Sequence, residues 1–229
     1  MKKDGIKTGF IIAIDGPAGA GKSTTARLVA RELGFFHLDT GAMYRAVTLK
    51  IIEKGIDPAC RHRLKKLLED TRIDLQWHQD QLRVLLDHRD VTKAIRQPAV
   101  SELVSPVSAI GCVRRKLVAE QRRLAAGKNV VCEGRDIGSV VFPDAQLKIY
   151  LDCALIERAR RRQAELPTPV SIKRVADNIR TRDRIDSGRR LSPLRRLPDA
   201  ILIDTTHLTI EEQVSLVCAL ARRRLRDEK

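Results

Sequence analysis

Residues Gly16-Pro17-Ala18-Gly19-Ala20-Gly21-Lys22-Ser23 fit the pattern G-x-x-x-x-G-K-[ST], and few octapeptides constrain a fold as tightly. The pattern works only where a strand hands over to a helix, so that glycines bring backbone N–H groups around phosphate oxygens and the helix start adds partial positive charge. Both neighbours are legible here. Phe10-Ile11-Ile12-Ala13-Ile14-Asp15 is a short apolar run ended by glycine, as a buried parallel strand requires. Thr24 to Leu33 place Ala26, Val29, Ala30 and Leu33 at helical spacing. Gly16 through Thr24 are therefore candidates to hold ATP phosphates. Lys22 is expected to reach the β- and γ-phosphates, and the Ser23 hydroxyl to ligate Mg²⁺. The competing reading is a glycine-rich turn that binds nothing, and the flanking strand and helix count against it.

The chain has 229 residues, enough for one α/β domain with a modest insertion. Aromatic residues make up only 3% of it, so a core drawn from its 43% hydrophobic content must be aliphatic. A formal net charge of +15 allows either a nucleic-acid surface or a cleft for polyphosphates. Many arginines cluster in Glu157–Arg162 and Arg174–Arg196, which favours the cleft. The cysteines Cys60, Cys112, Cys132, Cys153 and Cys218 are odd in number and form no C-x-x-C pair, as in a reducing compartment. No apolar run reaches membrane-spanning length, and Phe10–Ile14 is too short for a signal core. The expectation is a cytoplasmic, monomeric protein that meets neither a membrane nor a specific nucleic acid. The arginines from Arg222 to Arg226 are expected on a solvated helix face.

Further along, Phe35–Asp39 reads as a second strand and Thr40 opens a helix with Met43, Val47 and Ile51 on one face. Ile73, Leu75 and Trp77, then Leu82, Val84 and Leu86, alternate with polar residues around Gln79-Asp80-Gln81, an antiparallel hairpin. It interrupts a βα rhythm, so residues 61–98 are expected to form an inserted subdomain. One helical stretch is expected over Ala99–Ala126. Asn129–Glu133, Leu147–Asp152 and Ala200–Asp204 complete five strands, and Thr209 with Glu212 fits a capping box for a last helix.

Polar constellations lie at the ends of these strands, where ligands bind in open α/β sheets. Asp39–Arg45 offers a hydroxyl, a glycine and an arginine for a second anion. Glu133–Gly138 offers glycines, the Arg135 fork and the Asp136 acceptor. Arg182, Asp186 and Arg189, spaced four and three apart, would share one face of a helix. Taken alone, each also fits an ordinary surface: Tyr44-Arg45 as helix exterior, Glu133–Asp136 as a loop ion pair, the 182–189 trio as a salt-bridged face.

With these strings in place, the sequence resembles the bacterial (d)CMP kinases, or cytidylate kinases, over nearly its whole length. The resemblance rests on Ile14-Asp15-Gly16-Pro17 leading into the P-loop, Leu38–Arg45, Glu133–Gly138, Val141-Phe142-Pro143-Asp144-Ala145, Arg182-Asp183 with Asp186, Ser192-Pro193-Leu194 and Ile203-Asp204-Thr205-Thr206. It implies a P-loop kinase fold: a five-stranded parallel sheet flanked by helices, a small inserted subdomain for the nucleoside monophosphate (about 61–98) and a helical lid (about 153–190), with the core at 8–60, 99–152 and 198–227. It implies that Thr40, Tyr44, Arg45 and Arg135 bind the acceptor, that Ser105, Arg114 and Asp136 read cytosine, and that Arg182, Asp186 and Arg189 serve its ribose and phosphate. Arg158, Arg161 and Arg162 would be lid arginines, with Lys22, Arg135, Arg158 and Arg162 catalytic. The implied reaction is transfer of the ATP γ-phosphoryl group, with Mg²⁺, to CMP or dCMP. Two other readings stay open from the residues themselves: a P-loop kinase for another acceptor, such as a different monophosphate or shikimate, and a basic nucleic-acid-binding ATPase or GTPase.

Overall fold

The computed structural model describes residues 9–78, 81–166 and 169–227. The basic N-terminal segment and residues 79–80, where the sequence reading expects a polar break in the hairpin, lie outside them. Strand β1 (Ile11–Asp15) is buried along its whole length, which its unbroken apolar run requires. It pairs in parallel with β6 (Val130–Gly134) and β7 (Leu147–Asp152), which place it between them. β8 (Ile201–Asp204) pairs in parallel with β7, and β2 (Phe36–Asp39) lies beside β6. The order β2-β6-β1-β7-β8 makes the five-stranded sheet expected from the sequence. Because β1 is central, the glycine loop leaves mid-sheet, and the loops after β6 and β7 leave the same carboxyl edge on either side.

Two helices cover this sheet's core. α1 (Lys22–Leu33) packs with α8 (Ile210–Asp227), and Ala26, Val29, Val217 and Ala221 join Ile12, Ile14, Val131 and Ile149 in one aliphatic cluster. The capping box forms: the Thr209 amide donates to Glu212 Oε2 at 2.8 Å, and the Glu212 amide donates to Thr209 Oγ1 at 3.2 Å. A second cluster joins α6 (Leu155–Ala164) to α7 (Ile172–Gly188), with Ala159, Val175, Ala176 and Ile179 closing on Ala18 of the glycine loop.

The chain divides into two compact units, one built from residues up to 37 and from 125 onward, the other from 38–124. The second unit holds α2 (Thr40–Glu53), α3 (Arg61–Glu69), the antiparallel strands β3 (Ile73–His78), β4 (Gln81–Leu86) and β5 (Arg89–Asp90), α4 (Pro98–Ser108) and most of α5 (Gly111–Ala125). Ile73 pairs with Leu86 and Leu75 with Val84, and these four are its buried face. The unit reaches past residues 61–98 on both sides because α2 packs on α4 and on β4.

The single helix expected over 99–126 is two helices. Tight bonds from the Ala109 amide to Pro106 O and from the Ile110 amide to Val107 O, each 3.1 Å, close α4 before Gly111 opens α5. β5 was not foreseen. It follows a two-residue turn in which Asp87 and His88 take φ 49° and 67° with no glycine to mark it.

Candidate active site

The glycine loop is fixed from both ends. A side chain on Gly16 (φ 152°) would come within 2.1 Å of the Leu151 carbonyl oxygen, so β7 admits only glycine there. One on Gly19 would meet Arg158 Cβ at 3.1 Å, because α6 lies directly on the loop. Pro17, Ala18 and Ala20 are buried between these points, while Thr24 is exposed on the first turn of α1. Lys22 is 5% exposed and donates to the Pro17 carbonyl at 2.6 Å, curled back over the loop. Burial, and next the Arg135 guanidinium, press its ammonium down to about 7.

Ser23 Oγ donates to Glu133 Oε2 at 2.9 Å, and the other Glu133 oxygen lies 3.5 Å from His37 Nε2. Glu133 and His37 are both buried. Burial alone would raise the Glu133 carboxyl, yet His37, Lys22 and Ser23 outweigh it and hold it below the ordinary range. With its proton committed to Glu133, the exposed Ser23 hydroxyl turns lone pairs outward. Among the described residues no cluster of His, Cys, Asp or Glu could hold a metal unaided. A hard cation that keeps its waters and shares phosphate oxygens fits this donor set.

The loop after β6 carries the next group. Arg135 Nε donates to Asp186 Oδ2 at 2.8 Å, joining that loop to the last turn of α7. Asp136 is buried, 4% exposed, at the head of a π-helical turn, Ile137–Val141. Asp15, the last residue of β1, accepts from the Ile137 amide at 2.8 Å and the Gly138 amide at 2.9 Å. Arg182 is half-buried on α7. Arg189 departs from the expected helical face: α7 ends at Gly188, and Arg189 is extended at φ −60°, ψ 133°. It is nonetheless buried, with Nε donating to the Asp186 carbonyl at 3.2 Å, because the chain turns back on the helix end.

Arg158 and Asp183 hold both backbone polar groups of one loop residue, Ala18. Arg158 Nη1 donates to the Ala18 carbonyl at 3.0 Å and to Asp183 Oδ2 at 2.5 Å, and the Ala18 amide donates to Asp183 Oδ1 at 3.1 Å. Arg161 reaches the Thr205 carbonyl at 2.6 Å. Arg162 is not brought to the loop: it is 37% exposed and paired with Glu165.

In the second unit, five expected residues converge on α2, α4 and α5. Asp39 caps α2 by accepting from the Ala42 amide at 2.8 Å, which seats buried Thr40 at the helix start. Arg45 Nη1 donates to Ser101 Oγ on α4 at 3.0 Å. The Arg114 guanidinium lies 5.6 Å from the Tyr44 ring centre and donates to the Ser108 carbonyl at 3.1 Å. Ser108 Oγ in turn donates to the carbonyl of buried Ser105 at 2.8 Å.

Three residues that touch the loop or its neighbours lie in strings noted in the sequence but were given no role there: Glu133 behind Ser23, Asp15 behind the π turn, and Asp183 behind Ala18. Glu133 and Asp15 shared one signal, an acidic residue closing a buried apolar strand. Asp183 lay within the Arg182-Asp183 string of the resemblance, but its contact depends on where α7 meets the loop.

Known proteins resemble this chain over nearly its whole length. A family model described as cytidylate kinase matches residues 12–223. A cytidylate kinase of Caldanaerobacter subterraneus subsp. tengcongensis is 50% identical over 220 residues, 95% of this chain and 96% of that one. One of Carboxydothermus hydrogenoformans is 49% identical over 216 residues, covering 93% and 97%. A crystal structure of an uncharacterized protein from Eubacterium ventriosum shares the fold at TM-score 0.52 and 11% identity, over 93% of this chain and 98% of that one.

Proposed function

The chain belongs to the cytidylate kinase family, and from that premise we propose that it transfers the γ-phosphoryl group of ATP to CMP or dCMP, giving ADP and the corresponding diphosphate. The observation that carries this reading is the pairing of a complete phosphate loop with Arg135 and Asp136 at the adjoining strand end, Arg135 being tied to Asp186 on α7. The donor side consists of Gly16 to Thr24, whose amides and Lys22 would take the triphosphate. Lys22, lowered to about 7 by burial, regains its charge beside a polyanion and screens the transferred group. Ser23, oriented by Glu133, would hold Mg²⁺ together with phosphate oxygens and water. When bound, Mg²⁺ neutralises charge building on the β- and γ-oxygens.

On the acceptor side, Thr40, Tyr44, Arg45 and Arg135 would bind the monophosphate, with Arg182, Asp186 and Arg189 at its ribose and phosphate. The acceptor is already an anion, so no general base is required. What the arginines must overcome is repulsion, about 4 kcal/mol for each like-charged pair a few ångströms apart at an effective dielectric near 20. Arg158 begins on the Ala18 carbonyl and Arg162 on the outside of α6, so lid closure would deliver them to the transferring phosphoryl group. Ser105, Arg114 and Asp136 would read cytosine: a carboxylate accepts from its N4 amine, whereas uracil would present a second acceptor. Both residue sets belong to one chain, which supports activity as a monomer. Five free cysteines support a cytoplasmic setting. Among the described residues no helix is long and apolar enough to cross a membrane.

An ADP-release assay with ATP, Mg²⁺ and each of CMP, dCMP, UMP and AMP tests the assignment. Turnover should be fast on CMP and dCMP and lost in Lys22→Ala. Fast turnover on AMP or UMP alone would overturn the assignment of the acceptor.

A further inference from the structure

Asp15 is 7% exposed at the end of the central strand, immediately before the glycine loop. A carboxylate there carries a large desolvation penalty unless its oxygens are used. Both are used, one on the Ile137 amide and one on the Gly138 amide.

These two amides open the π-helical turn, and the turn's first acceptor is the Asp136 carbonyl, which takes the Val140 amide at 2.9 Å and the Val141 amide at 3.2 Å. The Ile137 N–H belongs to the same rigid peptide plane as that carbonyl. Asp15 therefore grips the plane that follows Asp136 and holds it at φ −148°, ψ 29°. We propose that Asp15 is a positioning residue for base selection: by clamping the Asp136–Ile137 peptide it aims the Asp136 carboxylate, and releasing the clamp relaxes the choice of CMP over UMP. The proposal rests on the reading of Asp136 given above.

The charge around Asp15 gives the clamp a pH dependence. Burial pushes its carboxyl up to about 6; Asp136 from the turn adds to the rise, and the two amides and Lys22 from α1 oppose it. On β7, Tyr150 stands beside it in register. The sign follows from linkage. With its folded value above the ordinary 3.8, Asp15 holds a proton in the folded state that the unfolded chain has already lost. Its contribution to stability thus declines as pH rises from about 4 to about 6, so the ionised form favours the geometry of the turn and not overall stability. Protonation puts an O–H against one of the two N–H donors and loosens the clamp. Fidelity should weaken on acidification while this group's share of stability improves, a pairing that a purely structural carboxylate would not show.

The test is kcat/KM for CMP and for UMP, measured side by side from about pH 7.5 to about pH 5.5. The ratio cancels the ionisation of the phosphate, which both substrates share. In the wild type the CMP/UMP ratio should fall about tenfold, the effect of one misdirected buried hydrogen bond. Asp15→Asn, whose carboxamide oxygen can accept only one of the two amides, should show the reduced ratio already at about pH 7.5, with no further change on acidification. Asp15→Asn/Asp136→Ala should be no less selective than Asp136→Ala, since the first acts through the second. If Asp15→Asn does not fold, the wild-type series against Asp136→Ala decides: the ratio must move with pH in the former and stay flat in the latter. A wild-type ratio independent of pH, or an Asp15→Asn enzyme as selective as the wild type, would overturn the proposal alone. A wild type that does not prefer CMP would overturn the reading of Asp136 and the proposal with it.

Discussion

Lys22 shows how a residue's local penalty and its chemistry are linked. Its ammonium is buried on the Pro17 carbonyl and pressed to about 7, so near pH 8 most of the free protein carries it uncharged. A bound triphosphate restores the ordinary preference for the charged form. ATP binding near pH 8 should therefore draw about one proton from solution. Calorimetry in two buffers of different ionisation enthalpy reads this directly, with Lys22→Met as control. Equal heats in both buffers would mean that Lys22 is charged before the nucleotide arrives. The same logic applies to Glu133, whose buried carboxylate has its two oxygens divided between Ser23 and His37. At this scale the reading from sequence was uneven. Lys22 and Ser23 are visible because the motif fixes their neighbours along the chain. Glu133 and Asp15 are marked only as acidic residues closing apolar strands; each serves atoms more than a hundred residues away, and the local pattern does not say which.

The elements divide along the same line. α8 begins with a capping box that both its sequence and its hydrogen bonds display, away from the reacting groups. Thr209→Ala should lower stability by about 1 kcal/mol, or about 2–4 °C in Tm, with kcat within about twofold of wild type. A large fall in kcat would instead tie the start of α8 to the site. The strands β1, β6, β7 and β8 were legible within a residue or so: β1 and β6 are buried along their whole length and read as near-continuous apolar runs, while β7 and β8 keep enough aliphatic residues between polar turns to stand out. The break between α4 and α5 was not, because the residues on both sides keep helical spacing and only the closing bonds at Ala109 and Ile110 show the interruption. The π turn at 137–141 was also invisible. Its first two amides bond to Asp15, so its shape is set by tertiary contact and not by its own sequence. Arg189 was expected on the helix and is instead held beside its end, yet it still reaches Asp186.

Over the whole molecule, the +15 charge is the property that most affects encounter with substrate. Both substrates are polyanions, so kcat/KM for CMP should fall several-fold between about 50 and about 500 mM salt as the field is screened, with kcat changing little. A salt-independent kcat/KM would assign the charge to something other than substrate capture.

The central claim is that the phosphoryl group passes to a nucleotide and not to water. The direct measurement is to incubate the protein with ATP, Mg²⁺ and CMP and to quantify CDP, ADP and inorganic phosphate by chromatography in the same sample. The account predicts CDP and ADP in equal amounts with little free phosphate. ADP and phosphate rising together without CDP would contradict it and leave the glycine loop serving a hydrolase.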